Sequence, residues 1–107
     1  MKLLTAELRA QLPPLYAQDG AKDHMVYAKF FTPDANWTWF VIEGEPDVDD
    51  FRFFGYVIGL EEEWGYFSLK ELTSTRGPLG LPIERDLYFK QGPFSEVIAQ
   101  FRKEHGE

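Results

Sequence analysis

Cysteine is absent from the chain. That excludes a disulfide framework, a thiolate metal site and a cysteine nucleophile. The compartment expected is the reducing cytosol, where a small domain holds together by packing alone. Histidine is scarce: His24 precedes a strand-like run and His105 lies in the C-terminal tail. Zinc takes three or four ligands at suitable spacing, and a base needs a nucleophile beside it. Neither pattern is present, so no catalytic residue, metal or cofactor is expected, and the balance is against an enzyme. Long apolar runs are missing too. No segment approaches the roughly 20 apolar residues of a membrane span, and residues 1–9 hold an apolar run too short and too charged for a signal peptide. No membrane association is expected. Bases are outnumbered, eleven against eighteen acids for a net charge of −7, and they are spread along the chain. Such a surface repels a phosphate backbone, so direct nucleic-acid binding is not expected.

What is present is apolar and aromatic. Of 107 residues 44% are hydrophobic and 17% aromatic, with ten Phe, five Tyr and three Trp. A disordered chain lacks the apolar surface to offset its ordering entropy, and this one does not. The length predicts a single domain spanning residues 1–107.

Thr5 reads as the N-cap of a short helix over residues 6–11, which Pro13 and Pro14 terminate. Residues 15–23 read as loop. Residues 25–32 and 37–43 are rich in β-branched and aromatic residues and form a hairpin across Pro33-Asp34-Ala35-Asn36. The acidic stretch 44–50 is expected to be a loop, residues 51–60 a third strand and 65–68 a fourth. Ser68 and Glu71 have capping-box spacing for a helical turn. Residues 76–86 are turn-rich, and 87–89 are expected to be a last short strand. Phe94, Val97, Ile98 and Phe101 fall on one face of a C-terminal helix over residues 93–104. The fold class that follows is α+β: an antiparallel sheet of four to five strands with a short N-terminal and a C-terminal helix. The strands are apolar on both faces, more than two short helices cover. Long loops, a second copy (a homodimer) or a partner would cover the surplus.

Three groups of residues invite a functional reading. Glu43, Glu45, Asp47, Asp49 and Asp50, with Glu61, Glu62 and Glu63, form two acidic clusters. Their spacing fails the register of a calcium-binding loop, which leaves a solvated face or an acidic interaction patch. Trp37 and Trp39 lie two apart, on one side of a strand. With Tyr27 and Phe31 they form either a stacking platform or a core cluster, and with no bases around them the core is favoured. The loop with Arg76, Glu84, Arg85 and Asp86 carries guanidinium groups able to pair with phosphate or carboxylate. The bland alternative is that Arg76 and Arg85 make ion pairs that pin the loop.

The segments Leu12-Pro13-Pro14-Leu15-Tyr16, residues 28–39 with Asn36-Trp37-Thr38-Trp39, Phe53-Phe54-Gly55, Leu69-Lys70-Glu71-Leu72, and residues 81–89 with Pro82-Ile83-Glu84-Arg85-Asp86 carry a resemblance. They are similar to the bacterial family catalogued as domain of unknown function 2958, over nearly the whole chain. The resemblance implies a small cytosolic protein of bacteria, often encoded on plasmids and other mobile elements, and it brings no activity or catalytic residue. The leading expectation is a non-catalytic acidic protein-interaction module of a bacterial mobile element. One version of it inhibits a nucleic-acid-handling host or defence protein through its carboxylates. The alternative is a small-ligand or nucleotide binder, or weak hydrolase, using the 76–86 loop.

Overall fold

The computed structural model describes residues 1–106. Its first helix, α1 (Ala6–Gln11), begins where the cap predicts, with the Thr5 hydroxyl accepting from the Leu8 amide at 3.1 Å. The predicted strand over residues 25–32 is two pieces, β1 (Met25–Val26) and β2 (Ala28–Phe31). The break at Tyr27 is a change of partner. β2 pairs with β3 (Thr38–Asp47), whereas β1 pairs with β7 (Gly92–Pro93) far along the chain.

The acidic stretch expected as a loop is mostly strand. β3 runs on to Asp47 and pairs residue by residue with β4 (Asp50–Ile58), so only Val48 and Asp49 remain as the turn. Strand pairing outweighs the weak intrinsic preference of Gly, Glu and Asp for extended structure. β5 (Glu62–Ser68) pairs with β4, and Ser68 then caps α2 (Leu69–Ser74) by accepting from the Glu71 amide at 3.1 Å. The last predicted strand, residues 87–89, is a turn instead. Pairing falls on β6 (Glu84–Arg85) before it and β7 after it. The chain ends in α3 (Phe94–Glu104).

The five strands lie in the order β5-β4-β3-β2-β6, all antiparallel, as the α+β reading anticipates. The sheet is apolar on both faces, and the chain covers both. One face carries Phe30, Trp39, Val41, Phe51, Phe53 and Phe67, packed under Leu3, Leu4, Leu8 and Leu12 and under Leu72 of α2. The other carries Phe40, Ile42, Phe54, Tyr56 and Ile58 beneath Phe94, Val97, Ile98 and Phe101 of α3. Phe30, Phe40 and Phe53 are fully buried, each burial contributing about 2–3 kcal/mol. The chain's own helices and loops thus cover most of both faces, and the exposed apolar side chains that remain on the sheet itself include a strip along β5.

Both turn residues of the β3–β4 hairpin have positive φ, 25° at Val48 and 55° at Asp49. A two-residue turn of this kind suits Asn-Gly, and a β-branched valine there is strained. Val48 is also 88% exposed, so it gains nothing from burial in return. Val48→Asn should stabilise the fold by about 1 kcal/mol, read as a higher urea midpoint at unchanged m-value.

Candidate functional site

The eight acids singled out in the sequence do not form one surface. Glu43 is 2% exposed, its carboxylate accepting from the Tyr16 amide at 2.9 Å and the Gln18 amide at 2.7 Å. Glu45 accepts from the Leu15 amide at 2.8 Å. Both acids face inward to fasten the loop between α1 and β1 across the sheet. Gln18 completes the fastening: its side chain bonds both the Met25 amide and the carbonyl of Ile42, the residue at which β3 bulges. Asp50 accepts from the Phe51 amide at 2.7 Å and the Lys70 amide at 3.1 Å. Partial desolvation is the largest influence on its carboxyl and raises its pKa, but these bonds together hold it below the ordinary aspartate value. Asp47 approaches Arg52 at 4.0 Å. Glu62 sits at the other end of β4, about 27 Å away at ~3.4 Å per residue. There it accepts from Arg102 at 2.8 Å and from the Tyr56 hydroxyl at 2.9 Å. The Arg102 guanidinium first and the Tyr56 hydroxyl second hold its carboxyl below the usual glutamate range. Asp49, Glu61 and Glu63 are exposed.

Trp37 and Trp39 share a side, as their spacing requires, and stack with centroids 5.9 Å apart. Trp39 is buried in the core and Trp37 is 39% exposed. Phe31 pairs with Thr38 while Phe30 pairs with Trp39, so Phe31 lies on the opposite face. The four aromatics do not make a platform.

The 76–86 loop is held by neither arginine. Arg76 donates to the carbonyls of Thr73 and Thr75 at 2.9 Å each, closing the end of α2. The pin is Asp34 of the β2–β3 turn, which accepts from the Leu79 and Leu81 amides at 2.8 and 3.3 Å. Gly77 lies so close to Asp34 that a Cβ there would sit 1.7 Å from its Oδ1. Asp86 pairs with Lys29 at 3.6 Å. Arg85 makes no ion pair among the described residues, and its Nε is buried without a hydrogen-bond partner. An unmet buried donor costs about 1–3 kcal/mol. The structure thus brings Glu84, Arg85 and Asp86 together on the β6 edge and leaves Arg76 apart from them.

Sequence reasoning passed over a third surface, on β5. Trp64 and Tyr66, alternate residues on one face, are 36% and 44% exposed, and Tyr16, which packs on Tyr66, is 63% exposed. Ring contacts join them: Tyr16 to Tyr66 at 6.5 Å, Tyr66 to Phe54 at 4.8 Å, Phe54 to Trp64 at 6.0 Å, and Trp64 to His24 at 5.1 Å. Arg52 lies over the Tyr66 ring at 4.7 Å. The neighbouring Tyr16 hydroxyl, ahead of desolvation, raises the Tyr66 hydroxyl above the ordinary tyrosine pKa. β5 is the last strand on its side of the sheet, and among the described residues no strand pairs with its outer edge. The signal available in the sequence was the alternation Trp64-Gly65-Tyr66, aromatic on one face and glycine on the other.

The family model described as "Protein of unknown function (DUF2958)" matches residues 3–106. The chain belongs to that family. No curated protein and no solved structure matches it. For this DUF2958 member, chemistry must therefore be judged from the residues themselves. Both histidines have structural company. His24 packs on Trp64, and His105 stacks on Phe101 at 4.0 Å with its Nδ1 2.8 Å from the Phe101 carbonyl. Among the described residues no group of three His, Asp or Glu is placed to hold a metal ion, and no helix is long and apolar enough to cross a membrane.

Proposed function

We propose that this DUF2958 protein is a non-catalytic protein-interaction module whose contact is the aromatic edge of β5, and that its partner supplies an extended, basic segment. The observation that carries this reading is the joined set of exposed rings on an unpaired strand edge. Exposed aromatic patches with Tyr, Trp and Arg have the composition of interface cores. An edge strand offers backbone donors and acceptors to an added strand, and alternate side chains such as Trp64 and Tyr66 receive the partner's alternate side chains. The net charge of −7 favours a basic partner. The lack of cysteine fits a working place in a reducing cytosol. The aromatic edge is favoured over an acidic mimic of nucleic acid because the carboxylates are divided between two ends of the sheet and several are engaged within the fold.

A peptide library displayed on phage and selected against the immobilised protein tests this. Basic segments with alternating apolar residues should be enriched, and Tyr66→Ala should weaken their binding roughly tenfold or more. Selected peptides indifferent to both Tyr66→Ala and Trp64→Ala, or no enrichment, would refute the reading. A concentration-dependent dimer abolished by Tyr66→Ala would assign the edge to a second copy and overturn the partner proposed.

A further inference from the structure

The β6 edge carries a second feature, independent of the aromatic strip. Arg85 pairs with Phe30 across β2 and β6, so its side chain stands on the face covered by α1, while Glu84 pairs with Phe31 and faces the other way. Asp86, on the far side of Arg85, is engaged by Lys29. The two carboxylates flanking Arg85 in sequence are therefore both turned from it, and its buried Nε has no acceptor among the described residues. Buried polar groups in native proteins are nearly always met, and an unmet one calls for a specific cause.

Arg85 borders two clefts beside β6. One, of about 290 Å³, lies against α1 and is lined by Thr5, Leu8, Tyr27 and Gln91 among others. The second, of about 280 Å³, is lined by Phe31, Glu84 and Tyr88 among others and opens on the other side of β6. We infer that Arg85 is the anchor of a small-molecule site, in the cleft against α1, for a single carboxylate or phosphate group joined to a compact apolar body. A guanidinium is the side chain whose planar fork matches such a group through two parallel hydrogen bonds. Leu8, Tyr27 and Leu87 line the walls that receive the body, with Thr5 and Gln91 as neutral polar neighbours. The volume is at the small end of ligand sites. Glu7 and Asp86 also line the cleft beside α1. Asp86 is compensated by Lys29, and Glu7 stands exposed in the first turn of α1. An acidic group at the opening disfavours a polyanion, so the site takes one carboxylate or phosphate head group and rejects a triphosphate.

The test follows the Nε–Hε resonance of Arg85 in wild-type protein by ¹⁵N NMR during separate titrations with phenylacetate, phenyl phosphate, inorganic phosphate and ATP. Saturable shifts with phenylacetate or phenyl phosphate and none with ATP are expected, and the stronger of the two identifies the head group. Arg85→Gln should reduce the affinity for that probe about tenfold or more, and Glu7→Gln should raise it. A saturable response to inorganic phosphate alone would remove the apolar body from the proposal and overturn it. No shift with any probe at millimolar concentration would overturn it as well. Because the resonance is read on the wild-type chain, a failure of Arg85→Gln to fold leaves the test intact. The outcome is separate from that of the β5 edge.

Discussion

Alanine at position 55 is expected to disrupt the sheet outright. Gly55 lies at the middle of β4, opposite Val41 on one side and Gly65 on the other. A Cβ there would come within 1.9 Å of the Phe40 carbonyl oxygen and 2.8 Å of its carbon. These are backbone atoms of the central strand, beside the bulge at Ile42, and they cannot rotate aside as a side chain does. The substitution forces β3 and β4 apart where they are most buried. The expected loss exceeds about 4 kcal/mol, at the diagnostic end of single-residue effects, against a total stability of about 5–15 kcal/mol for a domain of this kind. Gly65→Ala is the control. Its Cβ meets nothing within 4 Å, and alanine restricts the unfolded chain, so this change should be neutral or stabilise by about 0.5 kcal/mol. Urea unfolding of the two variants side by side distinguishes a local clash from a general intolerance of side chains in the sheet. Equal stabilities would mean that β3 yields more readily than its position implies.

The second large effect is expected at Glu43. Replacing it with alanine leaves the Tyr16 and Gln18 amides without their acceptor at a position where the carboxylate is buried. Each such loss costs about 1–3 kcal/mol, and bonds to a charged group lie toward the upper end. A destabilisation of roughly 3–5 kcal/mol follows, a fall in Tm of about 15 °C or more for a chain of this length. Tyr16 sits at a φ of 72°, a conformation that a tyrosine keeps only when its surroundings impose it. Release of the loop should therefore also displace the Tyr16 ring from Tyr66 and weaken binding at the β5 edge. Glu43→Gln, which keeps an acceptor of the same shape, should recover part of the stability. A Glu43→Ala protein as stable as wild type, by calorimetry, would show that the loop is held by Glu45 and Gln18 without it.

The contrast between Glu43 and its acidic neighbours marks where sequence reading stops. The helix caps at Thr5 and Ser68 are local, with bonds spanning three residues, so their residue types announce them. The apolar stripe of α3 and the aromatic runs of β3 and β4 are equally local. Glu43 looks like any other carboxylate in an acidic run, and only its crossing by a loop from more than twenty residues earlier makes it interior. The two-residue strands β1, β6 and β7 lie below the length at which alternation is readable, and each exists through a distant partner. Trp64 falls outside the strand expected over residues 65–68 and Tyr66 reads as an ordinary strand aromatic, because the extent of β5 depends on its pairing with β4 and the exposure of both rings on how far α3 reaches across the sheet. Arg85 drew notice as a charged loop residue. That its flanking carboxylates turn the other way follows from register with β2, which spacing alone does not reveal.

Those distant partners also impose an order on how the chain is put together. β3, β4 and β5 follow one another through tight turns, so each pairing closes a short loop and needs no other part of the chain in place. β6 and β7 must instead find β2 and β1 across most of the sequence, at the entropic disadvantage of closing long loops before any contact rewards it. The three-stranded meander is thus the natural folding nucleus, and the segment from β6 through α3 is the last to dock. Until it does, Phe40 and Ile42 stand open on a half-built sheet. A nascent chain halted short of its final helix would present that apolar face to chaperones and to other chains. The slow step of refolding is therefore expected in the C-terminal quarter rather than in the aromatic centre, so a destabilising change in α3 should slow refolding more than one of equal cost in the β4–β5 turn.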